Sequence, residues 1–143
     1  MYLAIDPGMR TGVCYFNGEG KEVFKLQIIG IEEFYVWLHT FDLPVEVLIY
    51  EAYVINPKVD HGGDEVPAAQ VIGIVKGFAH ANEKVLIKQL AHERIPAYAW
   101  QGKMWKKGYH PKDSDQESAL AHGLVYLVKN GVVKVDDLYP VSK

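Results

Sequence analysis

A chain of 143 residues, 49% apolar and with a formal net charge of -3, is sized for one domain spanning 1–143 whose core needs no covalent staples. One cysteine, Cys14, excludes an internal disulfide framework, and no apolar run reaches the roughly 18 residues of a membrane span. The acidic balance also excludes the uniformly basic surface that many nucleic-acid binders carry.

The opening residues 2–5 are short, apolar and β-capable, and Asp6-Pro7-Gly8 stops them. They follow no basic segment and no cleavage pattern, so the expected compartment is the cytoplasm. Residues 11–16 read as a second strand, with Cys14 a small core residue within it. Asn17-Gly18 and Gly20 mark a turn, and residues 22–29 read as a third strand. Ile31, Phe34, Tyr35 and Leu38 recur at helical spacing and predict a helix with one buried face. After Pro44, residues 45–50 form a strongly apolar strand that ends in Glu51. A helix between two such strands implies a crossover and a parallel pairing.

Residues 57–63 read as a loop. Asp64, Glu65 and Pro67 suit a helix start, and residues 68–82 continue that helix, with Gly73 and Gly77 four apart on one face. Residues 85–87 read as a fifth strand, and residues 91–95 as a helical turn that Pro96 ends. Residues 97–109 carry no clear pattern. Residues 114–130 form the best helix: Leu120, Leu124 and Leu127 share a face, Ser114 and Glu117 have capping-box spacing, and Gly131 follows. The pattern is α/β, a mixed five-stranded sheet with an antiparallel start, flanked by helices.

Asp6 and Glu51 close two apolar strands. If those strands pair in parallel, both carboxylates emerge at the edge where open α/β sheets bind ligands. Carboxylate oxygens select hard cations such as Mg2+ or Mn2+, and two such ions can hold the attacking and leaving oxygens of phosphodiester hydrolysis. Arg94, Lys103, Lys106, Lys107 and Lys112 then form a stretch without a carboxylate, followed at once by Asp113, Asp115 and Glu117. Cations to hold phosphate beside acids to hold metal are what a nuclease needs. Taken singly, Asp6 could be a turn former and Glu51 an edge charge; taken together with the later acids they suggest a metal cradle.

These residues carry a family resemblance. The segment Leu3-Ala4-Ile5-Asp6-Pro7-Gly8-Met9-Arg10-Thr11-Gly12 resembles the first motif of RuvC-type Holliday junction resolvases, members of the ribonuclease H-like superfamily. Ile49-Tyr50-Glu51 is similar to their second motif, residues 69–77 to the helix after it, and Asp115-Gln116-Glu117-Ser118-Ala119-Leu120-Ala121-His122 to their final helix. The compact length is most like phage-encoded members, whose compartment is the host cytoplasm.

The resemblance implies a ribonuclease H-like fold and a homodimer that nicks branched DNA. It implies Mg2+ or Mn2+, two ions per site, with Asp6, Glu51 and Asp115 as catalytic acids and metal ligands. Ser118 stands where the family carries Asp, so it would bind metal weakly or through water. Arg94, Lys103, Lys106 and Lys107 are the expected DNA contacts. His122, one turn beyond Ser118, could face the same site, and His110 could touch phosphate. Trp100, Trp105 and Tyr109 could stack on an opened base or simply pack. Two other classes suit parts of the pattern: a single-lobe actin-like ATP-binding domain, and a DNA-binding module without catalysis.

Overall fold

The computed structural model describes residues 1–53, 65–105 and 115–138, with the backbone alone for Glu65 and residues 101–105. Its strands are β1 (Tyr2–Asp6), β2 (Arg10–Phe16), β3 (Glu22–Ile29), β4 (Val47–Glu51) and β5 (Val85–Gln89). Its helices are α1 (Ile31–Thr40), α2 (Glu65–Ala81), α3 (Ile95–Trp105), α4 (Asp115–Lys129) and the short α5 (Val135–Leu138), with a 3-10 turn at Ala91–Arg94. The five strands form one sheet in the order β3-β2-β1-β4-β5. Pairing is antiparallel between β1 and β2 and between β2 and β3, and parallel between β1 and β4 and between β4 and β5.

Strand periodicity divides the apolar side chains between two layers, because successive residues face opposite sides of a sheet. Leu3, Ile5, Val13, Tyr15, Leu48 and Tyr50 face α1 and α2 and bury Phe34, Leu38, Val71, Val75 and Ala79. Ala4, Cys14, Phe16, Val47 and Ile49 face α4 and α3 and bury Ala97, Ala119, Leu120, Leu124 and Leu127. Cys14 is fully buried within β2, the small core residue its strand position suggests.

Helix α4 lies unusually close to the sheet. A Cβ on Gly12 would stand 2.0 Å from the backbone carbonyl of Asp115, and one on Gly123 would stand 2.2 Å from the Phe16 ring. Two missing side chains, one on the strand and one on the helix, therefore set the separation of the layers. A third tie is the Lys25–Glu117 ion pair, 2.6 Å long, with both side chains largely buried. Losing one partner of such a pair costs about 3–5 kcal/mol, because it leaves a buried charge uncompensated.

Some local expectations change. Strand β4 begins at Val47 instead of Val45, although Val45 is buried beside it. Tyr35 is half-exposed and stacks on His39, while Trp37 packs against the core. Pro96 does not end a helical turn: it sits in the first turn of α3, where its missing N–H is an orphan donor in any case. Glu117 reaches across to Lys25; Ser114, its expected capping partner, lies outside the described residues. Gly73 and Gly77 face open space, with nothing within 4 Å of an added Cβ.

Two glycine substitutions should therefore differ in sign. Gly12→Ala forces α4 off the sheet and should lower stability in urea unfolding by about 1–3 kcal/mol. Gly73→Ala, in an open helical position, should raise it by up to about 1 kcal/mol. Equal effects of the two would contradict the close packing of α4 on β2.

Candidate active site

The strand registers build a polar row across one end of the sheet. Gln27 on β3 pairs with Gly12 on β2, and Gly12 with Asp6 on β1. The parallel β1–β4 register runs to Ile5 opposite Tyr50, so its next step sets Asp6 beside Glu51. Glu51 in turn pairs with Gln89 on β5. By strand alternation, Asp6 shares a face with Ala4, Glu51 with Ile49, and Gln27 with Lys25, which is the face that α4 covers. Two carboxylates and two amides are thus delivered beneath one helix.

Helix α4 supplies the other wall. Its first residue, Asp115, sits over Gly12, and Gln27 Nε2 donates to Asp115 Oδ2 at 3.3 Å. Ser118, one turn on, is buried and lies within hydrogen-bonding reach of Asp6. His122, one turn further, is fully buried, and its Nδ1 pairs with Gln89 Oε1 at 2.6 Å. The other ring nitrogen, Nε2, faces Glu51 Oε1 at 3.5 Å and has no hydrogen-bond partner among the described residues. Arg94, at the end of the 3-10 turn after β5, enters from the side. Its Nη1 donates to Ser118 Oγ at 2.7 Å and to Glu51 Oε1 at 3.2 Å.

Burial raises the pKa of Asp6 to about 9, reinforced by the hydrogen bond and charge of Glu51 and the charge of Asp115, and opposed by Ser118. Burial also works against the charge of Glu51, but His122, Asp6 and Arg94 outweigh it and hold that carboxyl down at about 2. The adjacent strand ends therefore share one proton and titrate as a pair, Asp6 upward and Glu51 downward. Burial raises Asp115 as well, with Glu51 in the same direction and Arg10 opposing. Three carboxyls that press on one another's charge at a sheet edge form a concentrated anionic centre, the kind of perturbation that marks functional sites.

The donor set suits a hard divalent cation in its chemistry, being carboxylate oxygens from two strand ends and one helix start. In the present side-chain arrangement no three His, Cys, Asp or Glu residues converge as a cation cage among the described residues. The guanidinium of Arg94 engages Glu51 and Ser118, and Asp115 is turned towards Gln27. An open cleft of about 520 Å³ adjoins Glu51, lined also by Pro7, Tyr53, Leu90 and His92 among others. A separate cavity of about 450 Å³, between the β2–β3 turn and the C-terminal part of α4, contains none of these acids.

Asp6, Glu51, Asp115 and Ser118, the four residues the sequence singled out as acids or metal ligands, are thus brought to one end of the sheet. Of the expected DNA contacts, Arg94 points into this cluster, Lys103 lies on α3 with only its backbone described, and Lys106 and Lys107 fall outside the described residues. His110, Tyr109 and Lys112 fall outside as well, and Trp100 packs against the core beneath α4. Gln27, Gln89 and Arg10 are site residues the sequence reading passed over. Strand register would have exposed the two glutamines, since each lies level with an acid or with Gly12.

The architecture is that of the ribonuclease H-like class: a mixed five-stranded sheet with an antiparallel start and helices on both faces. Within that class the fold is the one found in RuvC-like Holliday junction resolvases. The fowlpox virus Holliday junction resolvase matches with a TM-score of 0.60 at 15% identity, over 90% of this chain and 98% of that one. Thermus thermophilus RuvC matches with a TM-score of 0.61 at 16% identity, over 92% of this chain and 96% of that one. The same protein in complex with a Holliday junction substrate gives a TM-score of 0.60 at 16% identity. No protein-family model matches the chain, and no curated protein sequence is significantly similar to it.

The shared proton predicts a pH signature in chelator-treated protein. Folded Asp6 holds its proton up to about pH 9 against an ordinary value of 3.8, so between these limits the folded chain binds the extra proton and stability falls as pH rises. Glu51, held at about 2 against 4.5, acts oppositely: its contribution is present above 4.5 and is lost as pH falls towards 2. Asp6→Asn should remove the first dependence. Urea unfolding should then find the variant more stable than the parent near pH 8, with the gap closing towards about pH 4. Parallel stability profiles for the two proteins would contradict the buried pairing of Asp6 with Glu51.

Proposed function

We propose that this chain is a divalent-metal-dependent endonuclease that cuts branched DNA, with four-way junctions as the foremost substrate, and that it works as a homodimer. The observation that carries this reading is the placing of Asp6, Glu51 and Asp115, each within reach of another's charge, at one end of a fold shared with resolvases from a virus and a bacterium. Asp6, Glu51 and Asp115 would hold Mg2+ or Mn2+, with Ser118 a weak or water-mediated partner. When bound, such a cation supplies an activated water and neutralises charge on the scissile phosphate.

The chain's own residues do the positioning. Gln89 orients the His122 ring, which stands 3.5 Å from Glu51 on its buried side. Gln27 does the same for Asp115. Phosphate contact falls to cations on and after α3. With a net charge of only -3, a local stretch bearing Lys103, Lys106 and Lys107 is enough to draw a DNA backbone to the acids. Arg94 belongs to the same stretch but is committed to Glu51 and Ser118 in the DNA-free chain.

A four-way junction offers symmetric strands, and an isologous dimer presents two identical sites to them. The outer face of α2 supports this arrangement: Gly73 and Gly77 are open and Val66 is exposed, so a second backbone could approach closely.

The test is incubation of end-labelled four-way junction, flap and linear duplex with the protein, with and without Mg2+. Metal-dependent paired nicks in the junction, with the linear duplex largely spared, are the expected result. Asp6→Asn, Glu51→Gln and Asp115→Asn should each lower the cleavage rate by roughly 100-fold or more while junction binding persists. Near-normal cleavage by any one of these variants would remove that residue from the site, and affinity without cleavage by the parent would make the chain a binding module.

A further inference from the structure

We propose that His122 is itself a metal ligand, binding a divalent cation through Nε2 beside Glu51. This rests on the metal-dependent reading above and adds a nitrogen to its oxygen donors. Helix α4 carries Asp115, Ser118 and His122 on one face, at spacings of three and four residues. The His122 ring is fully buried, yet its Nε2 has no hydrogen-bond partner among the described residues. Buried polar atoms are almost always partnered, so an orphan aimed at a carboxylate points to a group that fits between them. The separation suits a shared ion: Nε2 stands 3.5 Å from Glu51 Oε1. Donors each about 2.1 Å from one ion stand roughly 3.0–3.4 Å apart at ordinary coordination angles, so the pair need close only slightly. The cleft that adjoins Glu51 offers an ion its approach.

The far side of the ring is built for this role. His122 Nδ1 pairs with Gln89 Oε1 at 2.6 Å, and Gln89 is itself buried at the end of β5, level with Glu51. Histidines that bind metal through one nitrogen are held in the same way by a polar group on the other, which fixes ring and tautomer. The ring proton then sits on Nδ1 against the amide oxygen, and the Nε2 lone pair faces Glu51. Ser118, one turn earlier, is differently placed. Its hydroxyl accepts from Arg94 Nη1 at 2.7 Å, so a cation already occupies it. The donor that α4 offers beyond Asp115 therefore lies at His122. Arg94 reaches Glu51 Oε1 as well, at 3.2 Å, but its contact with Ser118 does not depend on that oxygen. An imidazole nitrogen among carboxylates shifts preference from Mg2+ towards Mn2+ and later divalent metals.

The experiment is pulsed electron paramagnetic resonance on Mn2+ bound to the DNA-free protein, which reads ligand nitrogens without reference to cleavage. The parent should show the hyperfine coupling of a directly bound imidazole nitrogen. His122→Gln should lose that coupling, and His92→Gln, on the wall of the adjoining cleft, should keep it. Gln89→Leu should keep the coupling but weaken Mn2+ binding roughly 10–100-fold, the usual effect of removing a partner behind a ligand. Bound Mn2+ in the parent with oxygen ligands alone would overturn the inference and leave the metal-dependent reading standing. That result needs no variant, so the test survives if His122→Gln fails to fold. A coupling that disappears in His92→Gln would overturn the inference as well. No bound Mn2+ in the parent would overturn both readings.

Discussion

The site depends on how closely α4 rests on β2. At Gly12 the strand has no side chain, and the first residue of the helix occupies the space a Cβ would need. That contact sets Asp115 over Gly12 and brings Ser118 to Asp6 and His122, one turn on, to Glu51 and Gln89. The close packing of Gly123 on Phe16 fixes the same helix at its middle, and the Lys25–Glu117 pair fixes it on the β3 side. Push the helix outward by a methyl group and Asp115 leaves the two strand-end acids. The close approach of α4 therefore adds a third carboxylate to a pair that the β1–β4 register already sets side by side.

That crowding costs stability, and the protein contains it in two ways. One is a proton shared between strand ends, with Asp6 the protonated member. The other is Arg94, whose charge does not depend on pH. Around these stand polar side chains, Gln27 on Asp115 and His122, held by Gln89, beside Glu51. Fixed orientation of acidic side chains is what a centre for phosphate chemistry requires, because the groups need not reorganise as charge develops.

Much of this arrangement was legible in the sequence, for physical reasons. Short apolar runs bounded by Asp-Pro-Gly and Asn-Gly marked the strands, the 3.6 period marked α1 and α4, and an acidic start with an early proline marked α2. A carboxylate that ends an apolar strand can only emerge at the sheet edge, so Asp6 and Glu51 could be read as neighbours once the helix between their strands implied a parallel crossover. Asp115 and Ser118 followed from the resemblance of their segment to the final helix of the resolvases. Contacts that cross between elements were harder to see. Arg94 read as one member of a basic stretch, because nothing local shows that the turn after β5 aims it inward. Pro96 read as a stop, because proline marks both helix starts and helix ends. Gln27 and Gln89 went unnoticed because an amide in a strand carries no signal until its register is known. Tyr35 and Trp37 exchanged burial because neighbouring aromatics on α1 both lie near the edge of its apolar face.

The central claim is that Asp6, Glu51 and Asp115 act as one cation-binding centre held under the first turn of α4. Anomalous diffraction at the manganese edge, from crystals of the chain soaked in Mn2+, tests it most directly. The account predicts strong anomalous density among these three carboxylates. A peak elsewhere on the chain, with these carboxylates unliganded at saturating Mn2+, would contradict it.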